Sequence, residues 1–159
     1  RWASLPNVLG VQLQRFGTQV QLLTAPTPRG PALPSGEVLP YHLVSFPVKP
    51  SHGTSDGTSV VQHMRPRFPA GARVPGWALR ASPALITLSA RALVSLSNEH
   101  VWQRIILPRP GCGAGELLWG EVRRLLEPIL DDRFVIVCLP QGGQHGPIRC
   151  ARTPDQPHR

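Results

Sequence analysis

Of the seventeen lysine and arginine residues in this 159-residue chain, only Lys49 is a lysine. The distinction is chemical. A guanidinium stays protonated at any pH a protein survives, whereas a partly desolvated amine can lose its proton and attack an electrophile. A lone lysine also arises by chance within a bias towards arginine, and composition leaves both readings open. The second candidate is "LPRPGCGAGELLW", residues 107–119. There an apolar run leads into Gly111, Gly113 and Gly115 and then into a helical pattern. Unpaired backbone N–H groups and the positive end of a helix can then face an anion such as a diphosphate or a phosphoribose group. The same order of elements also serves as a tight packing turn. The loop lacks the GK[ST] ending of a Walker A sequence, and Leu118 stands where a third glycine of GxGxxG would.

Positioning these groups falls to the elements around them. "NVLGVQLQRF", 7–16, spaces its apolar residues as a helix would, with Gly17 as its cap. "TQVQLL", 18–23, alternates as a strand, and the proline- and glycine-rich residues that follow predict a loop. "YHLVSFPV", 41–48, predicts a second strand that delivers Lys49 at its C-terminal end, where open α/β sheets bind ligands. Residues 50–80 show no sustained period and are expected to be a flexible insertion or lid outside the core. Ser82 as N-cap and Pro83 at the first helical position open a helix whose core face is expected to be Leu85, Leu88, Ala92, Leu93 and Leu96. "RIILP", 104–108, is expected to be a buried central parallel strand. "WGEVRRLLEPIL" predicts a helix with Trp119, Val122, Leu125, Leu126 and Ile129 on one face, and "DDRFVIVCLP" a closing strand. Residues 140–159 are expected to be a disordered basic tail. This order, α-β-β-loop-α-β-α-β, predicts an α/β fold with a mixed or mostly parallel sheet and helices on its faces.

Composition narrows the partners. Nineteen prolines and fifteen glycines are too many for unbroken regular structure. A formal charge of +8 suits an anionic partner such as a nucleotide, a polyphosphate or nucleic acid. The arginines never form a run of five, so no nucleic-acid-binding strip is written in the sequence. Cys112, Cys138 and Cys150 form no CxxC and no metal-ligand spacing with histidine, so no metal site is expected and a reduced, cytoplasmic compartment is. No apolar run approaches the ~20 residues of a membrane helix, and a monomer without a membrane partner or a resident cofactor is expected.

Three segments together resemble a known family. "LPRPGCGAGELLWGEVRRLLEPILDDRF" resembles the second ligand loop and following helix of macrodomains, the ADP-ribose-binding α/β/α modules. The branch it resembles carries a P-R/P-x-GCG-x-G/D-x-L-x-W-x-x-V signature and includes ADP-ribosyl glycohydrolases and phage-type relatives. "SFPVK" is similar to that branch's strand-end segment, and "SARALVSL" to the helix between. The likeness covers roughly residues 5–139. It implies a three-layer α/β/α fold for residues 1–139 and an ADP-ribose or ADP-ribosylated partner. Pro110, Gly111, Cys112, Gly113, Ala114, Gly115, Glu116 and Leu117 would hold the diphosphate and distal ribose. It further implies that Lys49 attacks the anomeric carbon and expels the modified group, with Glu116 as acid/base where some relatives place an aspartate at the position of Gly115. The competing expectations are a non-catalytic reader of ADP-ribose and a scaffold that binds no nucleotide. Macrodomains also begin with a strand and an N-x-x-G-x-x-G-x-G-x-A loop. Nothing like it precedes "RWASLPNVLG", so an N-terminally truncated domain is expected.

Other residues leave their alternatives open. Cys112 reads as a reactive thiol or a packing residue, and Trp102 and Trp119 as core anchors or stacking platforms. His52 reads as a proton-transfer partner of Lys49 or a solvated side chain. Arg109 reads as a phosphate ligand or as a partner of Glu121 or Asp132.

Overall fold

The computed structural model describes residues 17–23 and 41–138, together with Val11 and Arg15. These residues form a mixed α/β structure of short strands, two α-helices and two 3-10 turns. Strands β1 (Gln21–Leu22) and β2 (Val44–Ser45) pair antiparallel, as do β3 (His52–Thr54) and β4 (Arg73–Pro75). Strands β5 (Ile105–Pro108) and β6 (Phe134–Val137) pair parallel, Ile105 opposite Phe134. A single mixed sheet was the expectation; the described residues make three separate two-stranded sheets.

The shortened strands have local causes. Pro47 has no N–H to give a ladder, so the strand expected over 41–48 keeps Val44 and Ser45 as its paired strand, with Tyr41 in an isolated bridge. Opposite them, the Gln21 N–H goes to Ser45 Oγ at 2.9 Å, a side chain replacing a ladder acceptor. Parallel β5 and β6 need a crossover, which the glycine loop and the Trp119–Leu126 helix supply. The loop therefore leaves the C-terminal end of β5. The expectation of a fully buried central β5 does not hold: Leu107 is buried but Ile106 is 65% exposed, because β6 is its one strand partner among the described residues.

The long helix, Pro83–Glu99, starts as expected, with Ser82 Oγ accepting from the Leu85 N–H at 3.3 Å. Its buried face is shifted from the leucine stripe. Ile86, Ser89, Ala90, Leu93 and Ser97 are buried, while Leu88 is 63% exposed and Ala92 is exposed. Two serines hold that inward face because each hydroxyl has an acceptor: Ser89 donates to Pro47 O at 2.7 Å and Ser97 to Val94 O at 2.8 Å. A rule that counts only apolar residues misses them. The helix ends in a Schellman motif, Trp102 N–H to Ser97 O and Val101 N–H to Asn98 O. Val101, rather than a glycine, takes the left-handed conformation there, at φ 54°, an unusual position for a β-branched residue.

Two apolar clusters follow. Ala81, Ile86, Ala90, Val122 and Leu126 are buried between the helices, with Phe46, Val48, Leu117 and Trp119 packed on them. This matches the expected apolar face of the short helix at Trp119, Val122, Leu126 and Ile129 but not at Leu125, which lies outside the cluster, and the helix ends at Leu126, before Pro128. The second cluster, Val60, Val74, Ala78 and Leu79 with Met64 and Phe68 against it, lies wholly within residues 51–80. That segment was expected outside the core, and the correction has a physical reason. The β3–β4 hairpin and a Val60–Leu79 bridge close it on itself, so its scattered apolar residues meet despite having no sequence period. The helix expected over 7–16 falls outside the described residues except for Val11 and Arg15, though Gly17 is left-handed at φ 67°. The loop after residue 23 and the tail over 140–159 also lie outside them.

Candidate functional site

The chain is anchored on both sides of Lys49. Phe46 and Val48 pack on the inter-helix cluster, and Val48 O accepts from the Ser82 N–H at 2.8 Å. Lys49 then crosses to the glycine loop: its ammonium donates to Ala114 O at 2.8 Å and to Trp77 O at 3.0 Å. One side chain thus joins the 51–80 segment to the loop after β5; it does so from four residues beyond Ser45, where β2 ends, and not from the strand end expected at residue 48, because Pro47 interrupts the pairing. Partial burial pushes its pKa down, and the nearby Glu116 carboxylate pulls it back up.

The loop is folded by its own glycines. Gly111 is left-handed at φ 74°, and a methyl there would sit 2.9 Å from both Ala81 Cβ and Ile86 Cδ1. A methyl at Gly115 would come within 2.6 Å of Ala81 Cβ and of Gly111 O. Both positions are packing requirements against the start of the long helix. Gly113 differs, since nothing lies within 4 Å of a Cβ built there. Gly113 and Ala114 are exposed, and among the described residues the N–H groups of Gly113, Ala114 and Gly115 donate no hydrogen bond. Undedicated amides beyond a strand's C-terminal end are donors of the kind that can meet phosphate oxygens, and of the three only Gly115 is buried. Because a trans peptide sets its C=O and N–H in opposite directions, Ala114 O facing Lys49 turns the Gly115 N–H away from it.

Glu116 is not a free acid/base. It is left-handed at φ 59°, its Oε1 accepts the Gln62 N–H at 2.7 Å, and its carboxylate stands 3.7 Å from Arg80 Nε. The Arg80 guanidinium also donates to Glu116 O at 3.1 Å. Glu116 therefore ties the loop to the first 3-10 turn of the 51–80 segment. Neither Arg80 nor Gln62 carries a sequence signal for this role, because each lies in a stretch without periodicity.

The remaining expected residues divide. Pro110 is buried, and Leu117 packs inward with its N–H on Gly111 O, so both shape the loop from beneath. Cys112 packs on the same cluster, its thiol 3.5 Å from Pro110 O, and burial pushes the thiol pKa up, against reactivity. Arg109 lies with its guanidinium 5.2 Å from the Trp119 ring centroid, the stacked arrangement of a cation–π pair. Trp102 packs among imidazoles, 5.2 Å from His42 and 5.1 Å from His100. His52 is exposed on β3 with Nδ1 3.1 Å from Ser51 Oγ. No group of three or more metal-ligating side chains occurs among the described residues, and no helix there is long and apolar enough to cross a membrane. Comparison with protein-family models, curated proteins and solved structures returns no match.

Proposed function

We propose that the chain recognises ADP-ribose, in the manner of a macrodomain with an α/β/α framework, through the loop that joins β5 to the short helix. One observation carries the reading: exposed Gly113 and Ala114 present undedicated amides on a loop whose other residues are fixed by packing and hydrogen bonds. A pre-set donor array loses little entropy on binding, which is how a short loop can hold a diphosphate. Lys49, bound to the carbonyl in the middle of that loop, supplies positive charge beside it. Calorimetry of the full chain with ADP-ribose tests the proposal. Saturable heat is expected, with ADP weaker than ADP-ribose because it lacks the distal ribose; no heat at millimolar ligand overturns it.

Hydrolysis through Lys49 is the second reading, favoured by the desolvation that lowers the lysine's pKa. Its two carbonyl acceptors and Glu116 hold the proton, so attack needs the ammonium to leave them first. The step would form a bond from the neutral Nζ to the anomeric carbon and break the bond to the modified group, which departs with a proton; water would then attack the same carbon, break its bond to Nζ and release ADP-ribose. Lys49→Arg keeps the charge and removes the nucleophile. Release of ADP-ribose from a modified protein or oligonucleotide by the wild type, lost in Lys49→Arg while ADP-ribose binding persists, supports hydrolysis. Equal release by both proteins overturns Lys49 as the nucleophile, and none by the wild type leaves the chain as a reader.

A further inference from the structure

Away from Lys49 and its loop, the long helix and the end of the short helix enclose an open groove of about 450 Å³, lined by Thr87, Arg91, Arg124, Leu125, Pro128 and Ile129. The short helix turns Val122 and Leu126 fully inward, which leaves Leu125 half-buried beside them; Ile129, just past the helix, is half-buried and also touches the inter-helix cluster. They form an apolar floor that the described residues leave partly exposed. Two guanidiniums flank it. Arg91 is exposed and makes no hydrogen bond or ion pair among the described residues. Arg124 uses Nε on Gly120 O at 3.1 Å, and its terminal nitrogens remain as donors. Among the described residues no carboxylate lines the groove, although the neighbouring Arg123 is paired with Glu127 at 2.8 Å. Leu88, three residues before Arg91, is 63% exposed and extends the apolar surface along the long helix.

We propose that this groove is a docking site for an acidic peptide segment, one carboxylate meeting each guanidinium and an apolar side chain resting on Leu125, Pro128 and Ile129. Arginine forks match carboxylates two bonds at a time, and both cations lack a competing acid. The apolar floor favours a peptide over a nucleic acid. A nucleic-acid strand needs a track of several cations or an aromatic stacking surface, and the described lining offers two arginines and no aromatic ring. The proposal is independent of ADP-ribose binding, since the two sites share no residue.

Fluorescence anisotropy of the full chain at about 0.15 M salt tests it. The probe is a labelled helical peptide of Glu-Leu-Leu-Glu repeats, its controls the same peptide with Gln for Glu and a labelled single-stranded oligonucleotide. Saturable binding of the Glu peptide is expected. It should weaken at least about tenfold in Arg91→Glu/Arg124→Glu and by a comparable factor on changing Glu to Gln. Arg91→Gln alone, at an exposed position with no intrachain partner, should weaken it several-fold with an unchanged melting temperature, which covers a double variant that fails to fold. No binding, equal binding of the Gln peptide, or indifference to the arginine changes overturns the proposal. So does an oligonucleotide that displaces the peptide and depends on the same arginines, which would assign the groove to nucleic acid.

Discussion

The 51–80 segment and the loop over 111–117 are built by the same device, a glycine that lets two pieces of chain touch, yet they use it for different ends. In the segment, Gly76 lies against the strand entry: its N–H donates to Ser51 O at 2.9 Å, and a methyl there would meet Pro50 O at 2.1 Å. The contact is backbone on backbone, closing a unit that buries its own valines. In the loop, Gly111 and Gly115 meet side-chain atoms of Ala81 and Ile86 as well as each other, and the turn so formed lifts Gly113 and Ala114 into solvent. Close approach closes a core in the first case. In the second it displays a stretch of backbone, which is what a ligand-binding loop requires.

The largest test of that contrast is Gly76→Ala. The clash is with main-chain oxygens that no rotamer change relieves, and the Ser51 hydrogen bond is strained with it. A loss of about 3–4 kcal/mol is expected in chemical denaturation, near the top of the overpacking range. A loss under about 1 kcal/mol would show that the segment yields at this point and is not a closed unit. Gly115→Ala should cost less, about 2–3 kcal/mol, because one of its two closest contacts is the Ala81 methyl. The pair Ala81→Gly/Gly115→Ala should recover part of that loss, whereas no second change next to Gly76 relieves a contact with main-chain oxygen.

These contrasts also mark what the sequence could and could not convey. The β5–loop–helix–β6 unit was legible because every part of it is local: an apolar run, three glycines, an apolar stripe at helical spacing, and a second apolar run. The start of the long helix was legible for the same reason, in Ser82 and Pro83. Its buried face was not, since the burial of Ser89 depends on an acceptor, Pro47 O, forty-two residues away. The 51–80 core was illegible because its cluster is assembled by hairpin closure, with Val60 and Val74 separated by a turn-rich loop that has no period. At the site, the union of Lys49 with the loop was expected from the family likeness of "SFPVK" and from a strand end that the structure places earlier, at Ser45. The commitment of Glu116 to Gln62 and Arg80 had no local sign.

A third test separates the two regions by pH. Asp56, in the segment, accepts the Thr58 and Ser59 N–H groups at 2.7 and 2.6 Å, which holds its carboxyl well below the usual range. Its contribution to stability is therefore present above the unfolded-state value near 4 and is lost as pH falls towards the depressed folded value. Asp56→Asn should flatten the acid limb of the stability profile. Lys49 works at the other end. Burial lowers its folded pKa below 10.5, so within that window the unfolded chain binds more protons and stability rises with pH. Lys49→Met should remove that alkaline rise and leave the acid limb intact. If either substitution moves the opposite limb, the regions are coupled more tightly than their separate clusters indicate.

The smallest effect on stability belongs to Gly113→Ala, and it bears most directly on function. Nothing lies within 4 Å of the added methyl, and Gly113 is not among the glycines with positive φ, so the change should alter stability by less than about 0.5 kcal/mol. A ligand gripped by the amides on either side would meet that methyl at van der Waals range or closer. ADP-ribose affinity should then fall about tenfold, equivalent to roughly 1.4 kcal/mol, while the denaturation midpoint stays in place. A variant with unchanged stability and unchanged affinity would put the contact elsewhere. The loop would then be, like the Gly76 junction, a packing turn whose exposed tip has no guest.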